Sequence, residues 1–159
     1  MNSVVVRPAT PEDAPAAVAL VRRSISELCA ADHQHDPATL ERWLGNKSVA
    51  FFLRWLADPS TSLVVAELEQ ALCGVGSLRK GGQLTMIYVL PGRQGVGVGS
   101  AILRELEAQA ARWHEREISL TSSFGARAFY ERHGYVSAGE AKCKFGVLTE
   151  YPYHRVLVP

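Results

Sequence analysis

The chain is poor in cysteine, nearly neutral, and has no long apolar run. Its three cysteines, Cys29, Cys73 and Cys143, are odd in number, far apart and without a Cys-x-x-Cys pair. That excludes a disulfide framework and a thiolate zinc cage, and it reads as reduced thiols in a cytoplasmic protein. A formal net charge of +1 excludes a whole-chain field that would recruit nucleic acid or an anionic membrane surface. Val4-Val5-Val6 follows no basic segment and is too short for a secretion signal. No stretch approaches the roughly 20 apolar residues that span a bilayer. No nucleic-acid or membrane partner is therefore expected, and any anion must be held by a local site.

What is present is ordinary globular composition: 159 residues, 47% hydrophobic and 21% charged. Such a chain can bury a core without disulfides or metals, and residues 1–159 read as one domain. Val4 to Val6 form a short strand. Thr10 and Asp13 resemble a capping box, Pro11 suits a first helical position, and Pro15 sets the helix start near Asp13. Val18, Val21, Ile25 and Leu28 then make one apolar stripe. Residues 31–36 read as a polar loop. Two more helices follow, from Pro37 to Gly45 and from Val49 to Ala57.

The character then turns to β. Leu63–Ala66, Leu72–Leu78 and Leu84–Leu90, joined at Glu69-Gln70 and Gly81-Gly82, read as an antiparallel meander, because such links are too short for crossovers. A helix from about Val98 to Trp113 carries Leu103, Leu106, Ala110 and Trp113 inward. It leads to the strand Ile118–Thr121, so the unit is βαβ with parallel strands. A short helix, Ala126 to His133, ends at Gly134. Two closing strands, Tyr135–Phe145 and Tyr151–Val158, complete a mixed α/β fold.

The segment Gln94-Gly95-Val96-Gly97-Val98-Gly99 runs from a strand straight into a helix. Glycines there let backbone N–H groups approach a ligand, and the helix N-terminus adds partial positive charge, so the turn suits a phosphate. The dinucleotide pattern G-x-G-x-x-G fails, since Ser100 or Ile102 takes the third glycine position. The P-loop fails too, having no Gly-Lys-Ser/Thr. Both failures count against a nucleotide-binding regulatory domain. The pattern that fits is Q/R-x-x-G-x-G, through Gln94, Gly97 and Gly99.

With this loop in place, the sequence resembles the GNAT superfamily of acyl-CoA-dependent N-acetyltransferases. Ala126-Arg127-Ala128-Phe129-Tyr130-Glu131-Arg132-His133-Gly134-Tyr135 resembles that family's A-x-x-F-Y-x-x-x-G-F segment, with Tyr135 replacing the usual Phe. The opening Val6-Arg7-Pro8-Ala9-Thr10-Pro11-Glu12-Asp13 is also similar. The resemblance implies a central, mostly antiparallel sheet splayed between the fourth and fifth strands and flanked by helices. It implies acetyl-CoA as cosubstrate, a small-molecule or peptide amine as acceptor, direct attack, and a homodimer.

It also implies roles. Backbone N–H groups of Gln94, Gly95, Val96, Gly97, Val98, Gly99 and Ser100 would hold the CoA pyrophosphate. The backbone around Tyr88 and Val89 would pair with the pantetheine arm and polarise the thioester, an oxyanion contact worth about 3 kcal/mol in comparable sites. Ser123, Ala126 and Phe129 would lie against the cofactor. Ser123 stands where many relatives carry Asn and equally suits a helix N-cap. Tyr130 matches the tyrosine that protonates the leaving thiolate, the other reading being a packing role. Ala126, four residues earlier, shares its face.

No carboxylate lies on the strand before the loop, where many relatives have Glu. The general base is thus open among water, His33, His35, Glu150 and His154, and a non-catalytic acyl-CoA-binding sensor or scaffold of the same fold is the alternative function. Asp32-His33-Gln34-His35-Asp36 reads as a solvated loop, an acceptor contact or a metal site, and no metal is assigned. Trp43, Trp55 and Phe51-Phe52 read as core or dimer contacts.

Overall fold

The computed structural model of the chain describes residues 3–157. Strand β1 (Val5–Pro8) leads through a 3-10 turn at Pro11–Asp13 into α1 (Ala14–Leu28), α2 (Ala30–His33), α3 (Pro37–Leu44) and α4 (Val49–Ala57). The meander β2 (Thr61–Leu68), β3 (Ala71–Arg79) and β4 (Gln83–Val89) follows, then α5 (Val98–Arg112) and β5 (Glu117–Ser122). The chain closes with α6 (Arg127–Arg132), β6 (Val136–Ser137), β7 (Lys142–Cys143) and β8 (Thr149–Val156). The sheet order is β1-β2-β3-β4-β5-β8-β6, with β7 paired to β8.

The entry to α1 is held as the Thr10–Asp13 spacing predicts. The Asp13 carboxylate accepts from the Thr10 N–H at 2.8 Å, and Arg7 donates to both its oxygens at 2.8 and 2.9 Å. The α1 stripe differs from the expected one at its end. Ala17, Leu20, Val21 and Ile25 are buried, whereas Leu28 is exposed because the helix there overhangs a cleft.

Both faces of the meander are covered. On β2, Leu63 and Val65 pack with α1 and Phe52, while Val64 and Ala66 pack with α5. This is why the strand is apolar without alternation. Helix α5 lies directly on β3, where a Cβ at Gly76 would stand 2.3 Å from Ile102 Cγ2. The β2–β3 turn forms at Glu69-Gln70, both at positive φ (54° and 65°).

Two expectations need correction. Residues 31–36 are not a uniform polar loop. Ala30–His33 is a helical turn with Asp32 and His33 buried, and the irregular chain begins at Gln34 and His35, both at positive φ. Tyr135–Phe145 is not one strand. Tyr135 turns into the core and donates to Glu107 at 2.9 Å, Gly139 adopts φ 151°, and only the two-residue strands β6 and β7 pair with β8. Val158 of the last expected strand lies outside the described residues.

The sheet opens where the resemblance implies. Parallel strands β4 and β5 meet in register only at Gln83 opposite Ser119, then part. On the other edge of β4, Leu84 faces Leu78 while Met86 faces Ser77, leaving Thr85 as an extra, bulged residue.

Candidate functional site

The parted strands open a cleft of about 510 Å³. One wall is β4, through Met86, Tyr88 and Val89; the other is the end of β5, through Thr121 to Ser123. Helix α6 contributes Ala126 and Tyr130, whose spacing of four puts both on one face. The α1–α2 junction and α3 close the top with Cys29, Asp32 and Trp43, the segment between β7 and β8 brings Lys144 and Leu148, and the start of β8 brings Glu150.

Tyr130 is 6% exposed and packs edge-on against Phe129 at 5.2 Å and Tyr135 at 5.8 Å. Burial pushes its phenol well above the ordinary value of 10. It therefore stays protonated across the working pH range and can give its proton to a thiolate, whose conjugate acid is near 8.5. Phe129 points the other way, into the α5 side of the core, and meets Gly99: a Cβ there would lie 3.1 Å from its ring.

The turn that starts α6 is held from two sides. Ser123 Oγ accepts from the Ala126 N–H at 3.2 Å, a helix-entry bond, while Ser123 also lines the cleft. Asp32 accepts from the Phe124 N–H at 2.6 Å and the Gly125 N–H at 3.3 Å. Sequence reading missed this contact, because the partners are 92 and 93 residues apart. Trp43 Nε1 donates to the Tyr88 hydroxyl at 3.1 Å, so the Tyr88 side chain belongs to the helical face while its backbone forms the cleft wall.

The glycine segment adjoins the cleft at the end of β4 and does not itself line it. Gly99 is its link, with a Cβ position 3.8 Å from Val89 Cγ2. Gly95 and Gly97 adopt φ of 78° and 90°, which residues with a Cβ resist. The first helical bond of α5 runs from the Ala101 N–H to the Gly97 carbonyl at 3.0 Å. The N–H groups of Val98, Gly99 and Ser100 thus precede the ladder and point out of the helix end, beside the exposed Val96. The Gln94 side chain is spent inside the turn, accepting from the Gly92 N–H at 2.6 Å. Ser100 donates its hydroxyl to His133 Nε2 at 2.9 Å, and His133 Nδ1–H in turn donates to the Phe129 carbonyl at 2.8 Å. That leaves Ser100 its N–H for an anion. These donors, the positive-φ glycines and the slot between β4 and β5 fit a pyrophosphate followed by a narrow arm.

The four base candidates separate. Only Glu150 lines the cleft, with Lys144 Nζ at 3.4 Å. His33 is fully buried, bonded through Nε2 to the Ile25 carbonyl and through Nδ1 to the His35 N–H. His35 is exposed outside the cleft, and His154 pairs with Glu117 on the far strands. Asp36 caps α3, accepting from the Thr39 N–H at 3.0 Å. The side chains of Asp32, His33 and Asp36 are therefore engaged in structure, and among the described residues no three His, Cys, Asp or Glu side chains converge as metal ligands. Phe52 is core, with Trp43 and Trp55 packed beside it. Among the described residues no helix is long and apolar enough to cross a membrane.

Comparison with known proteins agrees with this geometry. A family model described as an acetyltransferase (GNAT) domain matches residues 29–153. An uncharacterized N-acetyltransferase of Mycobacterium bovis is 28% identical over 115 residues, which cover 68% of this chain and 74% of that protein. A GCN5-related N-acetyltransferase from Rhodopseudomonas palustris superposes with a TM-score of 0.86 at 25% identity, over 98% of this chain and 96% of the other. The PaiA N-acetyltransferase of Thermoplasma acidophilum, solved with coenzyme A, shares the fold with a TM-score of 0.80 at 17% identity, over 98% and 99% of the two chains.

Proposed function

The chain belongs to the GNAT family of acetyltransferase enzymes, and we propose that it transfers the acetyl group of acetyl-CoA to a primary amine by direct attack. The observation that carries this reading is the cleft itself. Tyr130 lines the β4–β5 opening together with Tyr88 and Val89, and the N–H groups at the start of α5 lie just beyond. Acetyl-CoA, when bound, supplies an activated thioester.

The protein's part is positioning and proton transfer. The N–H groups of Gly95 through Ser100 hold the pyrophosphate, and the β4 edge that faces the opening, around Tyr88 and Val89, pairs with the arm and faces the thioester oxygen with a backbone donor. Tyr130 donates its hydroxyl proton to the departing sulfur. Its burial supports this role, since a dry site strengthens the hydrogen bond that precedes transfer. Glu150, the only one of the four candidates that lines the cleft, takes a proton from the acceptor ammonium, directly or through water.

Residues 1–159 act in this reading as one catalytic domain, supported by a sheet that runs without break from β1 to β6. Three free cysteines support a reducing, cytoplasmic setting. A homodimer belongs to the same reading, supported by exposed valines at both sheet edges, Val5 on β1 and Val136 on β6. Light scattering on the purified protein tests it.

The decisive experiment for function is thermal unfolding with acetyl-CoA, followed by a thiol-release assay across an amine panel. Ligand at 100 times its Kd adds about 2.7 kcal/mol, a shift of several degrees. No shift at millimolar acetyl-CoA would overturn the reading. A shift without turnover of any amine would favour a non-catalytic acyl-CoA sensor.

A further inference from the structure

Lys47 lies between α3 and α4 and borders both the main cleft and an adjoining one of about 400 Å³, which Trp55, Asp58, Ser77 and Arg79 also line. Its ammonium donates to the Trp43 carbonyl at 3.4 Å and to Asn46 Oδ1, both neutral. Among the described residues no carboxylate forms an ion pair with it. The charge that acts on it is Lys144, of its own sign; burial and that neighbour pull the Lys47 pKa down to about 8.

The acids nearby are committed. Asp32 holds two backbone N–H groups, Glu150 pairs with Lys144, and Asp58 holds the Ser60 N–H and hydroxyl at 2.9 and 2.7 Å. Arg42 adds another cation to the main cleft, 5.9 Å from the Phe145 ring. A partly buried cation without a counter-charge is costly, and a bound anion removes that cost.

The anion concerned is not the CoA pyrophosphate. Lys47 stands on the α1–α4 side of the sheet, near Thr85 and Met86 early in β4. The glycine segment follows the opposite end of β4 and feeds α5 on the other face.

We propose that the acceptor is an amine that also carries a carboxylate, seated with its carboxylate on Lys47 and flanked by Arg42 and Lys144, and with its amine toward Glu150 and the β4 wall. This deepens the proposed acetyl transfer and rests on it. It narrows the substrate class to amino acids and amino-carboxylates, and away from polyamines, whose second charge would meet like charges here.

Two measurements test it. The first compares turnover of glutamate, alanine and phenylalanine with that of their α-carboxamides, by thiol release with acetyl-CoA. The wild type should favour at least one carboxylate over its amide by about tenfold or more in kcat/KM, the usual worth of a charged hydrogen-bonded pair. Lys47→Gln should erase that preference and Lys47→Arg should keep most of it. The second needs no turnover: N-acetylglycine and N-acetylglycinamide are titrated by NMR into the complex of the protein with CoA.

Tighter binding of the carboxylate product, lost in Lys47→Gln, supports the subsite even if no tested amine reacts. Equal binding of the pair, or none by either at about 100 mM, overturns it, as does equal turnover of acid and amide. Failure of the acetyl-CoA thermal shift would instead overturn the enzymatic reading on which the acceptor proposal rests. The two failures are therefore distinguishable.

Discussion

At the residue scale, the proposed chemistry rests on two side chains with different burial problems. Tyr130 is a buried phenol with no protein acceptor among the described residues, so its proton is available to a ligand in the cleft. Tyr130→Phe should lower kcat by about 10² or more, the usual worth of a positioned general acid, while the acetyl-CoA thermal shift is kept. Unchanged turnover would remove Tyr130 from the acid role.

Lys47 is a cation whose proton is weakened by burial and by Lys144. Its folded pKa of about 8 lies below the ordinary 10.5, so between those values the unfolded chain binds more protons and Lys47 makes stability rise with pH. The charges around it are Arg42, Lys144 and Asp32 in the main cleft, with Glu150 paired to Lys144 and Asp32 bonded to two backbone N–H groups, and Asp58 and Arg79 in the adjoining one. A carboxylate ligand binds the protonated form. Affinity for N-acetylglycine, which has no titrating amine, should therefore fall as pH rises beyond about 8, measured by titration between pH 6.5 and 9.5. A flat profile would count against Lys47 as its counter-charge.

At the scale of elements, one bond network fixes where α6 begins. Asp32 on α2 holds the turn before α6 through Phe124 and Gly125, and Ser123 holds the next N–H. Asp32→Ala leaves two partly buried N–H groups without an acceptor. It should cost about 1–3 kcal/mol and lower kcat by letting α6 move. Asp32→Asn keeps one acceptor oxygen and should do less of both, as urea unfolding and thiol release would measure. Loss of stability with kcat intact would confine Asp32 to a structural role. The packing of α5 on β3 sets a sharper limit. Because a Cβ at Gly76 would meet Ile102 at 2.3 Å, Gly76→Ala should destabilise by about 1–3 kcal/mol, read from the same unfolding curves.

At the scale of the molecule, the sheet is continuous, but its two halves are joined through a single β4–β5 register pair. The opening proposed to admit acetyl-CoA is thus the place where β4 and β5 share least backbone bonding, and bound acetyl-CoA should stabilise the whole fold by bridging it. The N-terminal strand is fastened by Arg7 between Asp13 and Glu67. Arg7 holds the Asp13 carboxyl down at about 2, below its ordinary 3.8. That stabilisation is present above pH 3.8 and is lost as pH falls toward 2. Arg7 is a third exposed, so solvent screens the pair and Arg7→Met should cost only about 1 kcal/mol at neutral pH. The difference from wild type should shrink on acidification, as urea unfolding between pH 2 and 6 would show.

Features encoded in short stretches of sequence were legible without coordinates. The Gln94–Gly99 turn, the Ala126–Tyr135 segment, the Thr10–Asp13 cap and the meander all rest on local rules: positive φ at glycine, spacing on a helix, links too short to cross. Tyr130 and Ala126 share a face for the same reason. Tertiary structure alone decided which polar groups face the cleft, because burial and charge depend on partners far away in the chain. His33 and His154 are drawn into other bonds while Glu150 remains in the cleft, and Asp32 finds its acceptor role on Phe124. Lys47 has its proton weakened first by burial and then by Lys144, which the fold of the β7–β8 segment brings to the same cleft. Local periodicity cannot encode such meetings, since each is set by how the helices and the closing strands pack on opposite sides of one opened sheet.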